Sequence, residues 1–383
     1  MSIYVNAYST VRDDVPWVGT GAGPTYTRTL VAEGPFLAEQ PEGSEERDLQ
    51  EHLNGFATYA SEQGAQRAGE YNPSIHSVFQ HINRVSRHYV FERPEDFDLS
   101  EFSTWARQAN AIFFLPDGTV RNGEGVDLLD PANAQGYNLV TAPNTAESIA
   151  RRDRIRGRLW EEGLRISPFL PPVISESEVV LRRPEEVLER AKAVAATAGA
   201  AVNVLEGKAV NVPELREHGG PAEVYTDNEA RFLDAVERFN ELDSVQYPAE
   251  LREQAVQLRW GFIAAELLAW VIGVVDSDPF ELVALEPHEL WGPLESVNDP
   301  RRLSPRSLEQ ICDAWEYTFS MRWFAVDQAL KAQESDHQGL AQVVQPNSFH
   351  LDATQGSILL ERHRALSWLI SPNVDYDEVD LST

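Results

Sequence analysis

The apolar run at residues 261–275 constrains the fold of this chain more than any other feature of its sequence. It is too short to cross a bilayer, which takes about 20 consecutive apolar residues, and it contains Glu266. We therefore expect a buried core helix, as part of one long helix over residues 248–275. Further helices are predicted at 227–239, 307–333 and 352–370, so helical signals dominate this part of the chain.

The N-terminal part has a different pattern. Residues 3–8 alternate between apolar and polar side chains, and residues 25–31 and 88–91 are rich in β-formers. A hairpin is predicted over residues 112–119, around the turn Pro116-Asp117-Gly118. We place a domain boundary in the Ala-, Asn- and Pro-rich loop at 131–143. The predicted fold class is α+β, with a small N-terminal α+β domain at 1–143 followed by a larger, mostly helical domain at 144–383.

The charge balance favours some partners over others. The chain carries 61 acidic and 32 basic residues, for a formal net charge of −29. This charge repels phosphate backbones and anionic membrane surfaces, so we expect neither nucleic acid nor a membrane as a partner. It favours solubility and a basic protein partner instead.

The cysteine and histidine residues bear on the cellular compartment of the protein and on whether it binds a metal. The single cysteine, Cys312, cannot form an internal disulfide and lies in a helical apolar pattern, which favours a reducing, cytoplasmic location and a core role. The chain opens on a strand-like pattern, so we expect no secretion leader. His76, His81 and His88 lack the spacing of a metal site. We predict neither a metal nor a cofactor.

Charged residues within apolar helices are the candidate site residues. The candidate acids and bases are Glu266, Glu361 and His363, and the candidate ligand-binding residues are Arg259, Arg322, Arg362, Trp260 and Trp323. In the predicted long helix Arg259 and Glu266 share a face about two turns apart. One interpretation is a cleft for acid–base chemistry in which the arginines hold an anionic group. The other, which we favour, is a buried ion-pair network with the tryptophans in the core.

A dense arginine run at residues 151–158 is the one concentrated basic segment. On a helix its arginines fall on more than one face, and neighbouring acidic residues offset much of the charge. We expect a solvated, salt-bridged helix here rather than a phosphate-binding surface.

The C-terminal part resembles the bacterial family known as domain of unknown function 4272, from about residue 151 to residue 383. The resemblance rests on an ordered set of motifs, which include Arg183-Pro184-Glu185-Glu186-Val187 with Arg190, Leu258-Arg259-Trp260, Glu266, Trp270, Gly273, Arg306, Asp313, Arg322-Trp323, Glu361-Arg362-His363-Arg364-Ala365-Leu366, Trp368-Leu369 and Asp375-Tyr376-Asp377-Glu378-Val379. It implies a shared fold of helices. It implies no activity, substrate or cofactor, so no catalytic residue is carried over.

Two functional hypotheses follow from the sequence. The first is a non-catalytic, acidic interaction or accessory protein that binds a basic protein partner. The alternative is a small-molecule-binding or enzymatic helical domain that uses the buried Glu, Arg and His cluster. Whether the chain is an enzyme stays open at this level.

Overall fold

The computed structural model describes residues 1–30, 34–36, 44–133, 139–240, 246–338, 349–371 and 374–382. The chain forms two compact units: residues 1–150 with 174–180, and residues 151–173 with 181–383. A small unit with an antiparallel sheet is followed by a larger, mostly helical one, which confirms the predicted fold class. The predicted boundary at 143 stays a prediction, and residues 134–138 of its loop lie outside the described residues.

The first unit is organised around an antiparallel sheet whose described strands follow the order β2-β3-β1-β4-β5. The strands are β1 (Ser2–Ser9), β2 (Tyr26–Thr29), β3 (Arg87–Pro94), β4 (Ala111–Phe114) and β5 (Val120–Arg121). Strand β1 is central and pairs with both β3 and β4. The predicted strands and hairpin are confirmed, except that residue 31 lies outside the described residues.

Alternation along the strands gives this sheet two apolar faces. Val5 and Ala7 point into one cluster, together with Trp105 of the short helix α3 (Ser103–Gln108). Tyr8 points into the other, which is covered by the helices α1 (Ser44–Ala68) and α2 (Pro73–Asn83). The first unit is therefore a sheet with helices on both faces.

Residues 174–180 belong to the first unit because of a buried polar network around Glu178. Its carboxylate accepts hydrogen bonds from Thr10 Oγ1 at 2.7 Å and from Asn110 Nδ2 at 3.2 Å. Arg12 donates to the carbonyl of Val179 at 2.7 Å. A buried carboxylate needs such donors, so the network fixes this segment against the end of β1.

The second unit is built from helices around α9. The helices are α4 (Ala146–Glu161), which begins in the first unit, α5 (Pro184–Glu206), α6 (Val212–Gly219), α7 (Asp227–Asn240), α8 (Ala249–Leu258), α9 (Gly261–Val271), α10 (Pro287–Ser296), α11 (Leu308–Gln338) and α12 (Ala353–Ile370). All residues of α9 from Ile263 to Val271 are buried, and α9 packs on α5, α10 and α12. This confirms the predicted core helix. None of the described helices is long and apolar enough to cross a bilayer.

The prediction of one helix over residues 248–275 was wrong at two points. The chain turns at Arg259 and Trp260, between α8 and α9, so that both helices pack on α5. At the other end α9 stops at Val271, because Gly273 adopts a φ of +75° that terminates the helix. Arg259 and Glu266 therefore do not share a helix face.

The arginine run on α4 is salt-bridged, as predicted. Arg154 Nη2 lies 2.7 Å from the Asp313 carboxylate, and Arg156 Nη2 lies 2.8 Å from Glu316. Glu316 is fully buried and also accepts from the backbone nitrogen of Val173 at 3.0 Å. The expectation of a solvated helix was wrong for Arg151, which is 4% exposed and pairs with Asp313.

Candidate functional site

Helix α12 buries three consecutive ionisable residues. Glu361, Arg362 and His363 are only 8%, 2% and 3% exposed. Because an α-helix turns about 100° per residue, neighbouring side chains leave the axis in different directions. The three residues therefore face three separate environments, and each must be described by its own partners.

Arg362 points at the connection between α9 and α10. Its Nη1 donates to the carbonyls of Pro279 at 2.9 Å and Glu281 at 2.7 Å, and its Nη2 donates to that of Val283 at 3.1 Å. Burial lowers the pKa of Arg362, while the charge of Glu266 raises it. The guanidinium is thus fully engaged in holding backbone.

Glu266 supports the same connection from the other side. Its side chain lies on the buried helix α9, 3% exposed, and its Oε2 accepts from the backbone nitrogen of Leu285 at 3.1 Å. Together Glu266 and Arg362 form a clamp on residues 279–285, with opposite charges that compensate one another in a low-dielectric setting. The interaction between Glu266 and Arg362 is electrostatic, and the hydrogen bonds of both side chains go to the backbone of the connection.

His363 points toward α11. Its ring meets the edge of Phe319, with centroids 5.9 Å apart. Burial, helped by the charge of Arg322, lowers the pKa of His363 to about 4. The histidine is therefore neutral at neutral pH. Its Nδ1 and the Nε of Arg322 are both buried without a hydrogen-bond partner among the described residues.

Glu361 points into a cavity of about 220 Å³ inside the helical unit. The cavity is lined by residues of α5, α7 and the residue before it, α8, α9, α12 and the turn at Tyr376–Glu378, namely Val194, Thr197, Thr226, Asn228, Glu229, Gln257, Leu258, Gly261, Leu360, Glu361, Arg364, Tyr376 and Asp377. Asn228 and Gln257 are exposed and mark its rim. Neither Glu266 nor His363 lines this cavity, so the structure does not bring the three candidate acids and bases together.

A buried ion pair forms one wall of the cavity. Arg190 of α5 donates to the carboxylate of Glu229 and, at 2.6 Å, to the carbonyl of Val224. Glu229 also accepts from the backbone nitrogen of Thr226 at 3.0 Å, while its own nitrogen donates to Thr226 Oγ1 at 3.3 Å. This reciprocal capping box begins α7 and leaves both carboxylate oxygens of Glu229 with partners.

Tyr376 lines the cavity beside this wall. The guanidinium of Arg190 stacks over its ring at 4.1 Å, and Trp368 meets it edge-on with centroids 5.9 Å apart. Tyr376 is 7% exposed, and its hydroxyl has no hydrogen-bond partner among the described residues. Burial raises the pKa of this phenol. The hydroxyl is thus buried, neutral and free to bond.

Glu361 is poorly satisfied for a buried carboxylate. Among the described residues its one partner is Arg364, whose Nη1 lies 3.4 Å from the carboxylate. Burial raises the pKa of Glu361, and the Arg364 charge lowers it only in part. Because the folded-state pKa is raised, protonation of Glu361 favours the folded state. This contribution to stability is complete below the unfolded-state pKa and is lost as the pH rises through the folded-state value. The ionised carboxylate is therefore destabilising unless something else pairs with it.

The remaining predicted residues lie away from the cavity wall. Arg259 is exposed and stacks over the ring of Trp260 at 5.2 Å, while Trp260 and Trp323 are half-buried. None of the three lines the cavity. Among the residues that the structure describes, no group of His, Cys, Asp or Glu side chains could hold a metal ion. The assignment of these residues as ligand-binding stays a prediction.

Sequence reasoning had not selected Arg190, Glu229, Arg364 or Tyr376 as site residues. Arg190 carried a usable signal, because it is a charged residue among the apolar positions of α5. The spacing from Thr226 to Glu229 is that of a capping box and was also visible. Nothing local, however, indicated that Tyr376 would lie beside Arg190, since 186 positions separate them in the sequence.

The fold and the cavity define an α+β protein whose larger, helical unit carries a small pocket rich in carboxylates. The family model described as a domain of unknown function, DUF4272, matches residues 151–379, which is more than half of the chain. The chain therefore belongs to this family, as the resemblance of its motifs indicated. No curated protein and no solved structure matches it.

The clamp on residues 279–285 leads to a stability prediction. We expect Arg362→Met to lower the free energy of unfolding by about 3–5 kcal/mol, because it leaves three carbonyls without their donor and removes the positive charge that compensates Glu266. The matched control is Arg301→Met, which removes an 88% exposed arginine paired only with Asp299 and should cost less than about 1 kcal/mol. Urea unfolding of both variants measures the difference. Equal costs would show that Arg362 does not hold the connection.

Proposed function

We propose that the helical unit binds a small molecule in the cavity lined by Glu361 and Tyr376. The observation that carries this proposal is the weakly paired carboxylate of Glu361 on its wall, next to Tyr376. Glu361 has one long contact to Arg364, and the buried hydroxyl of Tyr376 has no partner among the described residues. Buried polar groups are normally hydrogen-bonded, so two under-satisfied groups on residues that line one cavity favour a missing ligand.

The other buried carboxylates of the same unit supply the comparison. Glu316 accepts from Arg156, Ser320 and the backbone of Val173. Glu229 is bonded to Arg190 and caps α7. Each has strong donors close by, whereas Glu361 does not. Since Glu229 lines the same cavity and is fully paired, the weak pairing belongs to Glu361 itself, which supports a binding role for this carboxylate.

Blocking the cavity at its rim tests the proposal. Gln257→Trp places an indole over the opening from an exposed position, so stability should be unchanged and binding should be lost. The control is Val256→Trp, which adds the same bulk at a 39% exposed residue of α8 that does not line the cavity. We expect ligand-observed NMR with a library of fragment-sized compounds to find binders that both the wild type and Val256→Trp retain and Gln257→Trp loses. Equal binding by all three proteins, or no binder at all, would contradict the proposal.

A second candidate function is the binding of a basic protein partner. Among the described residues five arginines and five glutamates are buried. Among these residues burial therefore removes equal positive and negative charge and does not offset the excess of acidic residues that gives the net charge of −29. An accessible acidic surface steers basic partners and suits the cytoplasmic accessory role that we also propose.

Salt dependence tests this second candidate. A basic protein that binds the full chain through its acidic surface should do so at low ionic strength and dissociate as salt is raised, because salt screens exposed charges. Binding of the purified partner across a salt series measures this by calorimetry. Failure to retain any basic protein at low salt, or an affinity that salt does not change, would contradict it.

A further inference from the structure

We propose that the ligand of the Glu361 cavity carries a cationic nitrogen, an amine or a guanidinium, and that Glu361 is its counter-charge. This inference rests on the proposed binding function and names the class of its ligand. Four observations support this inference. Glu361 has unused acceptor positions, carboxylates line the cavity, the N-terminus of α7 is already capped, and the cavity is small.

The bonding capacity of Glu361 is largely unused. An ionised carboxylate offers about four acceptor positions, and charge-assisted bonds from a guanidinium are normally about 2.7–2.9 Å long. The contact from Arg364 Nη1 is 3.4 Å. Arg364 is 31% exposed, so its side chain is free to move aside into solvent. A ligand that donates two or three N–H bonds would supply what Arg364 does not.

The charge of the lining favours a cation. Three carboxylates, those of Glu229, Glu361 and Asp377, line the cavity against the single guanidinium of Arg364. Arg190 lies behind the wall and neutralises Glu229, to which it is bonded. The carboxylates that remain are Glu361, with its 3.4 Å contact from Arg364, and Asp377, which is exposed to solvent. An anionic ligand would therefore lie beside two carboxylates and would compete with Glu361 for Arg364.

The N-terminus of α7 lies beside the cavity, and a helix N-terminus can favour an anionic ligand. Helix N-termini attract anions through their free backbone N–H groups and the helix dipole. Here Thr226 Oγ1 takes the backbone N–H of Glu229, and the carboxylate of Glu229 returns to the nitrogen of Thr226. The protein's own carboxylate thus occupies the place that an anion would take.

Size and the second polar anchor narrow the ligand further. A cavity of about 220 Å³ is smaller than the roughly 300–1,000 Å³ typical of drug-sized ligands, so the ligand is small. Tyr376 also lines the cavity, and its buried hydroxyl, which has no partner among the described residues, is a second polar group beside Glu361. Val194, Leu258 and Leu360 supply apolar contact for a short carbon chain.

The test compares three probes of similar size on the full chain: butylamine as a cation, butyrate as an anion and butanol as a neutral molecule. Agmatine adds a guanidinium probe. We expect an amine or a guanidinium to bind the wild type in ligand-observed NMR titrations. Glu361→Gln, which keeps the shape and removes the charge, should weaken it at least about 10-fold, since removing one member of a buried charge pair costs several kcal/mol.

Arg364→Gln provides the second, independent variant. Because it removes an internal cation that competes for Glu361, cationic probes should bind it as tightly as the wild type or more tightly. Binding of butyrate that depends on Arg364 and not on Glu361 would overturn the inference while leaving the proposed small-molecule site intact, and so would binding of butanol alone. If no probe binds, and if Gln257→Trp still binds every fragment that the wild type binds, the proposed function fails as well.

Discussion

The helical unit depends on how it accommodates three ionisable side chains buried in a row on α12. An isolated charge in a protein interior costs several kcal/mol, and consecutive helical positions cannot share partners. Arg362 is compensated by three backbone carbonyls and by the charge of Glu266. His363 avoids the cost by remaining neutral. Glu361 is compensated only by the long contact from Arg364, and of the three residues it is the one that lines the cavity.

Neighbouring residues in one turn of α12 therefore have different roles. Arg362 and Glu266 fix the chain between α9 and α10, so their charges serve the fold. Glu361 has only a long contact to Arg364, and the Tyr376 hydroxyl has no partner among the described residues, although the neighbouring Arg190 and Glu229 are paired with one another. Proteins commonly retain locally destabilising groups where binding or catalysis needs them. Glu361 in the cavity is such a locally destabilising group, whereas Glu266 and Arg362 stabilise the connection that they hold.

The sequence predicted the fold class, the strands and the core helix because these depend on local periodicity. It missed the turn at Arg259 and Trp260, where the packing of α8 and α9 on α5 overrides a continuous helical pattern. The same periodicity, applied to residues 361–363, would have shown that they cannot converge on one pocket. The partners of Arg362 could not be foreseen, because backbone carbonyls carry no sequence signature. The sequence also could not show that Glu361, Glu229 and Tyr376 line one cavity, because they come from distant segments.

The most direct measurement compares the thermal midpoints of Glu266→Gln and Glu361→Gln with that of the wild type at neutral pH, without added ligand. Both swaps keep the shape of the side chain and remove its charge. We expect the two variants to differ: Glu266→Gln lowers the midpoint, by about 2–4 °C for each kcal/mol lost in a unit of this size, and Glu361→Gln leaves it unchanged or raises it. A fall of several degrees in both variants would contradict a binding role for Glu361, because Glu361 would then be one more member of a structural ion-pair network.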